Sequence, residues 1–249
     1  MAPRRNLLRF KTMDTRFWGP SGWQLFHLIA FRSDHPDDVL NDMKDVLPCK
    51  FCRASTTEFV KKHPLRGDAG KWLYEIHNMV NDKLRKQAET DDKVIDPGPD
   101  PDFDEVKAKY MAMKPTKPPG RDFLMAVAYN YPDAPEPHDM STQRQFIHHL
   151  AKAYPFEGMR KSFQSYLSKN EVELGSRMEY LRWMYGLMKA MSRSGMRTFK
   201  GYVQHLAYYK AGCAKKTYKG KTCRKTGMGG YTKSRDNKKT RRVVGGGLL

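Results

Sequence analysis

Cys49 and Cys52, two residues apart in LPCKFC, are half of the four thiols in a 249-residue sequence. Sulfurs at i and i+3 of a helix start can close a small disulfide, and the positive end of the helix dipole favours the thiolate that disulfide exchange requires. Pro48 before the pair and the helical pattern CRASTTEFVKK after it provide that setting. The same spacing suits two ligands of a zinc ion, which takes four in a closed site or three and a water in an open one. The other thiols, Cys213 and Cys223, lie far away at a spacing of ten. His63 could help, but His27 and His77 each suit another task, so no metal is expected. A thioredoxin reading would need strands on either side of the motif, and no alternating apolar and polar run is present.

A second group of candidates is polar. His77, Asn78 and Asn81 of HNMVN fall on a helical pattern that also carries Trp72, Ile76 and Val80, and positions 77 and 81 share a face. Polar side chains on a helix that buries such neighbours need partners, and a bound cofactor can supply them. Trp23 and His27 stand four apart in FWGPSGWQLFHLIAF. No G-x-G-x-x-G fingerprint occurs, so a nucleotide cofactor would be held by a non-Rossmann site.

The elements that must position these groups are helices. Gly19-Pro20-Ser21 reads as the start of the first, Asp37–Val46 as the second, the CxxC opens the third, which stops near His63-Pro64, and GKWLYEIHNMVNDKLRKQ is the fourth. Six prolines between Pro97 and Pro119 mark an extended linker around a short helical segment at 105–113. The expectation is an all-α chain. It comprises a four-helix bundle at 14–90, a linker at 91–120, a second helical domain at 121–210, and a basic Gly- and Lys-rich tail at 211–249. PCKFCRASTTEFVKK can be laid on PFEGMRKSFQSYLSK without a gap, matching Pro48 to Pro155, Arg53 to Arg160 and Ser55 to Ser162. LFHLIAF likewise falls on FLMAVAY with Met125 at the place of His27, and WLYEIHNMVN on YLRWMYGLMK with Tyr185 and Gly186 at the places of His77 and Asn78. Two readings stay open, chance likeness of amphipathic helices and a degenerate copy that kept its packing and lost its chemistry.

Of the net charge of +19, the tail carries +11 with Asp236 as its single acid. Such a tail favours polyanions. Nucleic-acid binding with a structural or zinc-bound CxxC is therefore the rival function, supported by Tyr202, Tyr208, Tyr209, Tyr218 and Tyr231 among the Lys and Arg. No run of about 18 apolar residues appears, so no membrane span is expected. The basic start lacks the apolar core of a signal peptide, which leads to the expectation of a cytoplasmic protein. In a reducing compartment a CxxC is redox-active or metal-bound more often than structural.

Together WGPSGWQLFH, PCKFC and HNMVNDKLRK, in this order across roughly 14–87, resemble the Erv/ALR family of FAD-linked sulfhydryl oxidases, particularly its branch in large DNA viruses. The resemblance implies a four-helix bundle with a short fifth helix that holds FAD at one end. It makes Cys49 the outer cysteine, which receives electrons from substrate thiols, and Cys52 the inner one, which faces the flavin. Gly19, Trp23 and His27 belong to the first cofactor motif. Trp72, His77, Asn78, Val80 and Asn81 belong to the second, with His77, Asn78 and Asn81 at adenine and ribose and Lys83 and Lys86 near the diphosphate. The implied reaction oxidises reduced protein thiols and passes electrons through FAD to molecular oxygen, giving hydrogen peroxide. Cys213 and Cys223 would be a shuttle pair, and the assembly a homodimer or an intrachain pseudo-dimer. A viral member would act in the host cytoplasm or the virion. Two departures stand out. No cysteine follows Lys86 where relatives continue K-P-x-F-D-C, and Pro20 replaces an arginine.

Overall fold

The computed structural model describes residues 12–91, 94–192 and 195–211. Ten helices are described: α1 (Thr15–Arg32), α2 (Asp37–Val46), α3 (Lys50–Lys62), α4 (Ala69–Ala88), α5 (Phe103–Ala112), α6 (Arg121–Asn130), α7 (Pro137–Ala153), α8 (Glu157–Lys169), α9 (Arg177–Met191) and α10 (Phe199–Tyr208). The only strands among the described residues are β1 (Thr12–Met13) and β2 (Lys210–Ala211), an antiparallel pair that ties the two ends of the described chain together. The all-helical expectation therefore holds apart from this short ribbon.

Helix α1 begins a turn earlier than Gly19-Pro20-Ser21 suggested. Asp14 caps it, its carboxylate accepting from the Arg16 N–H and pairing with the Arg16 guanidinium at 2.6 Å. Pro20 lies inside the helix, past its free first turn, where it removes the backbone bond to the Arg16 carbonyl; that cost of about 3 kcal/mol exceeds what the cap returns and is offset by the burial of the helix. The proline-rich stretch is also more than a spacer. Its helix α5 buries Val106 and Tyr110 against Leu28 of α1, and Arg32 reaches the Tyr110 carbonyl at 3.2 Å.

Helices α1–α4 and α6–α9 form two four-helix groups that share one apolar core, joined through α1 against α6 and α2 against α7. The contacts between them are reciprocal in the register that lays 25 on 123 and 48 on 155. A Cβ on Gly22 would lie 3.2 Å from the Phe123 ring, and the matching Cβ on Gly120 would lie 2.5 Å from Leu25. At the other contact His149 Nδ1 meets Asp42 at 2.8 Å; these positions exchange with each other under the same register. Beside them Gln145 donates to Asp42 at 2.8 Å, and in the mirrored place His149 Nε2 stands 3.9 Å from Asp38. Inside each group, the matched arginines bond the matched carbonyls: Arg53 to Leu47 and Arg160 to Tyr154.

Glycine is required at only one of the two close approaches. Gly120 sits at φ +76°, where an L side chain is strained, and faces the branch of Leu25, whereas Gly22 is helical and faces a ring that can yield. Gly120→Ala is expected to lower unfolding free energy by about 2–4 kcal/mol. Gly22→Ala should change it by less than about 1 kcal/mol, because better helix propensity offsets the crowding. Denaturant titration of both variants checks this, and equal losses would contradict it.

Candidate active site

Helix α3 takes Cys49 as its N-cap. The Cys49 Sγ accepts from the Cys52 N–H at 3.2 Å, so both sulfurs lie at the positive end of a 13-residue helix. Both are in the thiol form, not joined in a disulfide. Cys49 is fully buried and Cys52 keeps partial exposure. Met13 of β1 donates to the Pro48 carbonyl at 3.1 Å and joins Cys49 in the core. Burial pushes the Cys52 thiol well up, the neighbouring Cys49 adds to that, and Lys83 and Arg53 oppose it.

The polar candidates of α1 and α4 come together. Trp23 stacks on His77 with centroids 3.7 Å apart and planes 9° from parallel, and His27 Nε2 meets His77 Nδ1 at 3.0 Å. On its other side His27 stacks against Tyr110 of α5 at 4.8 Å. His27, His77 and Asn81 are buried. Three buried atoms of this cleft have no partner: His27 Nδ1, Asn78 Oδ1 and Asn81 Oδ1. Leaving such atoms unsatisfied costs about 1–3 kcal/mol each, so the cleft suits a ligand carrying several donors and acceptors. Burial, followed by His77 and Lys109, holds the His27 imidazole well below its usual range.

The other candidates are placed differently. Trp72 spends its indole N–H on the His63 carbonyl at 2.8 Å, which ties α4 to the end of α3. Lys83 donates to Ser55 of α3 at 2.9 Å, one turn beyond Cys52, and so connects the α4 polar face to the cysteine turn. Lys86 is exposed and Val80 half-buried. Gly19 has open space where a Cβ would stand, so nothing there demands glycine. Cys213 and Cys223 lie outside the described residues.

Sequence reasoning missed Arg53, Asp100 and Tyr110. Asp100 accepts from Asn81 Nδ2 at 2.9 Å and from both Arg85 nitrogens, at 3.2 and 2.9 Å, while Tyr74 donates to the Pro101 carbonyl. The segment before α5 is thereby fastened along α4. Nothing in the local pattern of a proline-rich stretch signals this, although an acidic residue among prolines opposite an arginine-bearing helix was visible. Among the described residues no group of three or more His, Cys, Asp or Glu could hold a metal ion. No described helix is long and apolar enough to cross a membrane.

The buried His27 has a consequence for stability. An unfolded histidine titrates near pH 6.5, whereas His27 stays neutral well below that when folded. The unfolded chain therefore takes up the proton first, and this contribution is complete above about pH 6.5 and is lost as pH falls below it. His27→Phe is expected to flatten the fall in denaturation midpoint between about pH 7 and pH 5. An unchanged slope would place the proton uptake elsewhere.

The model of the Erv1/Alr family matches residues 20–97, from α1 to just beyond α4. The FAD-linked sulfhydryl oxidase of African swine fever virus is 34% identical over 84 residues, which cover 28% of this chain and 70% of that protein. The mitochondrial FAD-linked sulfhydryl oxidase ERV1 of Saccharomyces cerevisiae is 30% identical over 86 residues, covering 29% of this chain and 46% of that protein. The probable FAD-linked sulfhydryl oxidase R368 of Acanthamoeba polyphaga mimivirus is 32% identical over 85 residues, covering 28% and 59%. No solved structure matches the chain. A CxxC at a helix start, a His-Asn face with unsatisfied atoms and these likenesses fall on the same stretch, and the chain belongs to the Erv1/Alr family.

Proposed function

We propose that this chain is an FAD-linked thiol oxidase that forms disulfides in protein substrates through Cys49 and Cys52. The observation that carries the reading is the set of unsatisfied atoms between α1 and α4, on the helix whose Lys83 reaches the cysteine turn. Trp23, His27, His77, Asn78 and Asn81 would hold the cofactor. Lys83, which donates to Ser55 and acts electrostatically on Cys52, would with Lys86 approach the diphosphate. When bound, FAD supplies a two-electron acceptor that reacts with oxygen.

The chain's own part is disulfide exchange. A substrate thiolate attacks Cys49 Sγ of the oxidised pair, the Cys49–Cys52 bond breaks, and Cys52 leaves as a thiolate. A second substrate thiolate attacks the substrate sulfur of the mixed disulfide. The product disulfide departs, and the pair now carries two electrons. Delivered with two protons to molecular oxygen, they give hydrogen peroxide. Cys49 is covered at the Pro48 turn by β1, so a bulky substrate needs that ribbon to yield. Strand β2 ends at Ala211, and Cys213 follows two residues later in sequence. That closeness in sequence supports a shuttle role for Cys213 and Cys223.

Residues 121–210 are, on the same reading, a cofactor-free copy of the oxidase bundle. Their place at the α1–α2 face makes one chain a pseudo-dimer. The reciprocal contacts support this, and so does the fate of the matched positions. Met125 is fully buried at the place of His27, and Tyr166 fills the space that any Cβ on Gly186, at the place of Asn78, would need. The copy has packed where the first bundle stays polar. Of the tyrosines behind the rival nucleic-acid reading, Tyr202 is buried and Tyr209 stacks on Phe17, while residues 212–249 lie outside the described residues.

Oxygen consumption with dithiothreitol, and with a reduced protein as substrate, tests the assignment. Wild type is expected to turn over both with peroxide as product, and Cys52→Ser neither. Replacing both Cys213 and Cys223 by Ser should slow oxidation of the protein at least tenfold and leave dithiothreitol unaffected. Activity retained in Cys52→Ser would exclude the exchange pair, and equal effects on both substrates would exclude the shuttle.

A further inference from the structure

The carbonyl of Leu47 accepts two hydrogen bonds, from the Cys49 N–H at 2.8 Å and from Arg53 Nη1 at 2.5 Å. Arg53 follows Cys52 directly, and its own N–H closes on the Cys49 carbonyl at 2.9 Å. Its side chain therefore folds back over the first turn of α3 and holds the peptide that carries Cys49. Electrostatically, Arg53 is favoured by both cysteines and by Asp45 of α2 and Asp139 of α7. Lys83 of α4 supplies a second positive charge at Cys52. Arg53 and Lys83 are thus the cations that act on Cys52, and the two aspartates act on Arg53.

We propose that Arg53 is a positioning residue for the dithiol, fixing the Leu47–Cys49 turn and holding, with Lys83, the positive charge against which a thiolate at Cys49 or Cys52 forms. This rests on the exchange reading of the pair and adds the groups that set its reactivity. Thiolate carries the nucleophilic reactivity, and at the flank of a buried pair a cation offsets part of what burial takes away. The second bundle contains a built-in control. Arg160 bonds the Tyr154 carbonyl at 3.1 Å in the matched turn, where Phe156 and Met159 stand in place of the cysteines. The brace is common to both turns, and the charge faces sulfur in only one.

The test is the rate of alkylation of Cys49 and Cys52 by iodoacetamide in the reduced full-length protein, followed by mass spectrometry against pH. It needs neither bound FAD nor oxidase turnover, so it can succeed or fail independently of the proposed function. Arg53→Gln is expected to lower the rate near neutral pH about tenfold and move the midpoint up by about one pH unit. Arg160→Gln, which cuts the matched brace, should keep the wild-type profile. Arg53→Lys keeps the charge and should also keep it. A wild-type profile in folded Arg53→Gln, or an equal displacement in Arg160→Gln, would overturn the proposal. Should Arg53→Gln fail to fold, Arg53→Lys decides: a midpoint at the wild-type value supports the role of charge, and one displaced by a full unit refutes it.

Discussion

Between residues 25 and 29 helix α1 is buried on all sides, and everything else in the molecule is arranged around that constraint. A helix with one apolar face needs one partner; a helix buried throughout needs a complete ring of them. One side of α1 meets α6 through Gly22, Leu25 and Phe26, and another meets α4 and α5 through Trp23, His27 and Leu28. His27 sits in the middle of this run with one nitrogen satisfied by His77 and the other by nothing. The helix that joins the two bundles is thus also the wall of the candidate cofactor cleft.

The contact between the bundles has a chemical asymmetry that two identical bundles could not show. At a position that exchanges with its own match, two copies of the first bundle would set Asp42 against Asp42. Here Asp42 faces His149, and Asp38 stands near the same imidazole. Like charges directly opposed are unfavourable, and a carboxylate opposite an imidazole is not. The same asymmetry runs through the cores, with histidine, asparagine and cysteine on one side and methionine, glycine and phenylalanine at the matched places on the other.

Much of this was legible in the sequence, and the exceptions have physical causes. The α2 boundaries, the stop of α3 near His63 and the His77–Asn81 face follow from 3.6-residue periodicity and capping residues, which are local. The start of α1 was misplaced because Gly-Pro-Ser outweighed a better cap at Asp14, whose carboxylate closes on the next turn. The roles of Asp100 and Tyr110 depend on partners 15 or more residues away, on α4 and α1, and no window of sequence reports such a contact. The burial of Cys49 has the same kind of cause. Cys49 is covered by β1, whose pairing with β2 joins residues almost 200 positions apart. Arg53 was in plain view as the match of Arg160, but a matched residue does not reveal which carbonyl it will bond.

On the proposed function, FAD held between α1 and α4 exchanges electrons with the Cys49–Cys52 pair. The visible absorption of the purified full-length protein, followed while dithiothreitol is added without oxygen, tests it most directly. The account predicts a flavin band of one equivalent per chain that bleaches in the wild type and persists in Cys52→Ser. A colourless protein, or a band that bleaches equally in both, would contradict it.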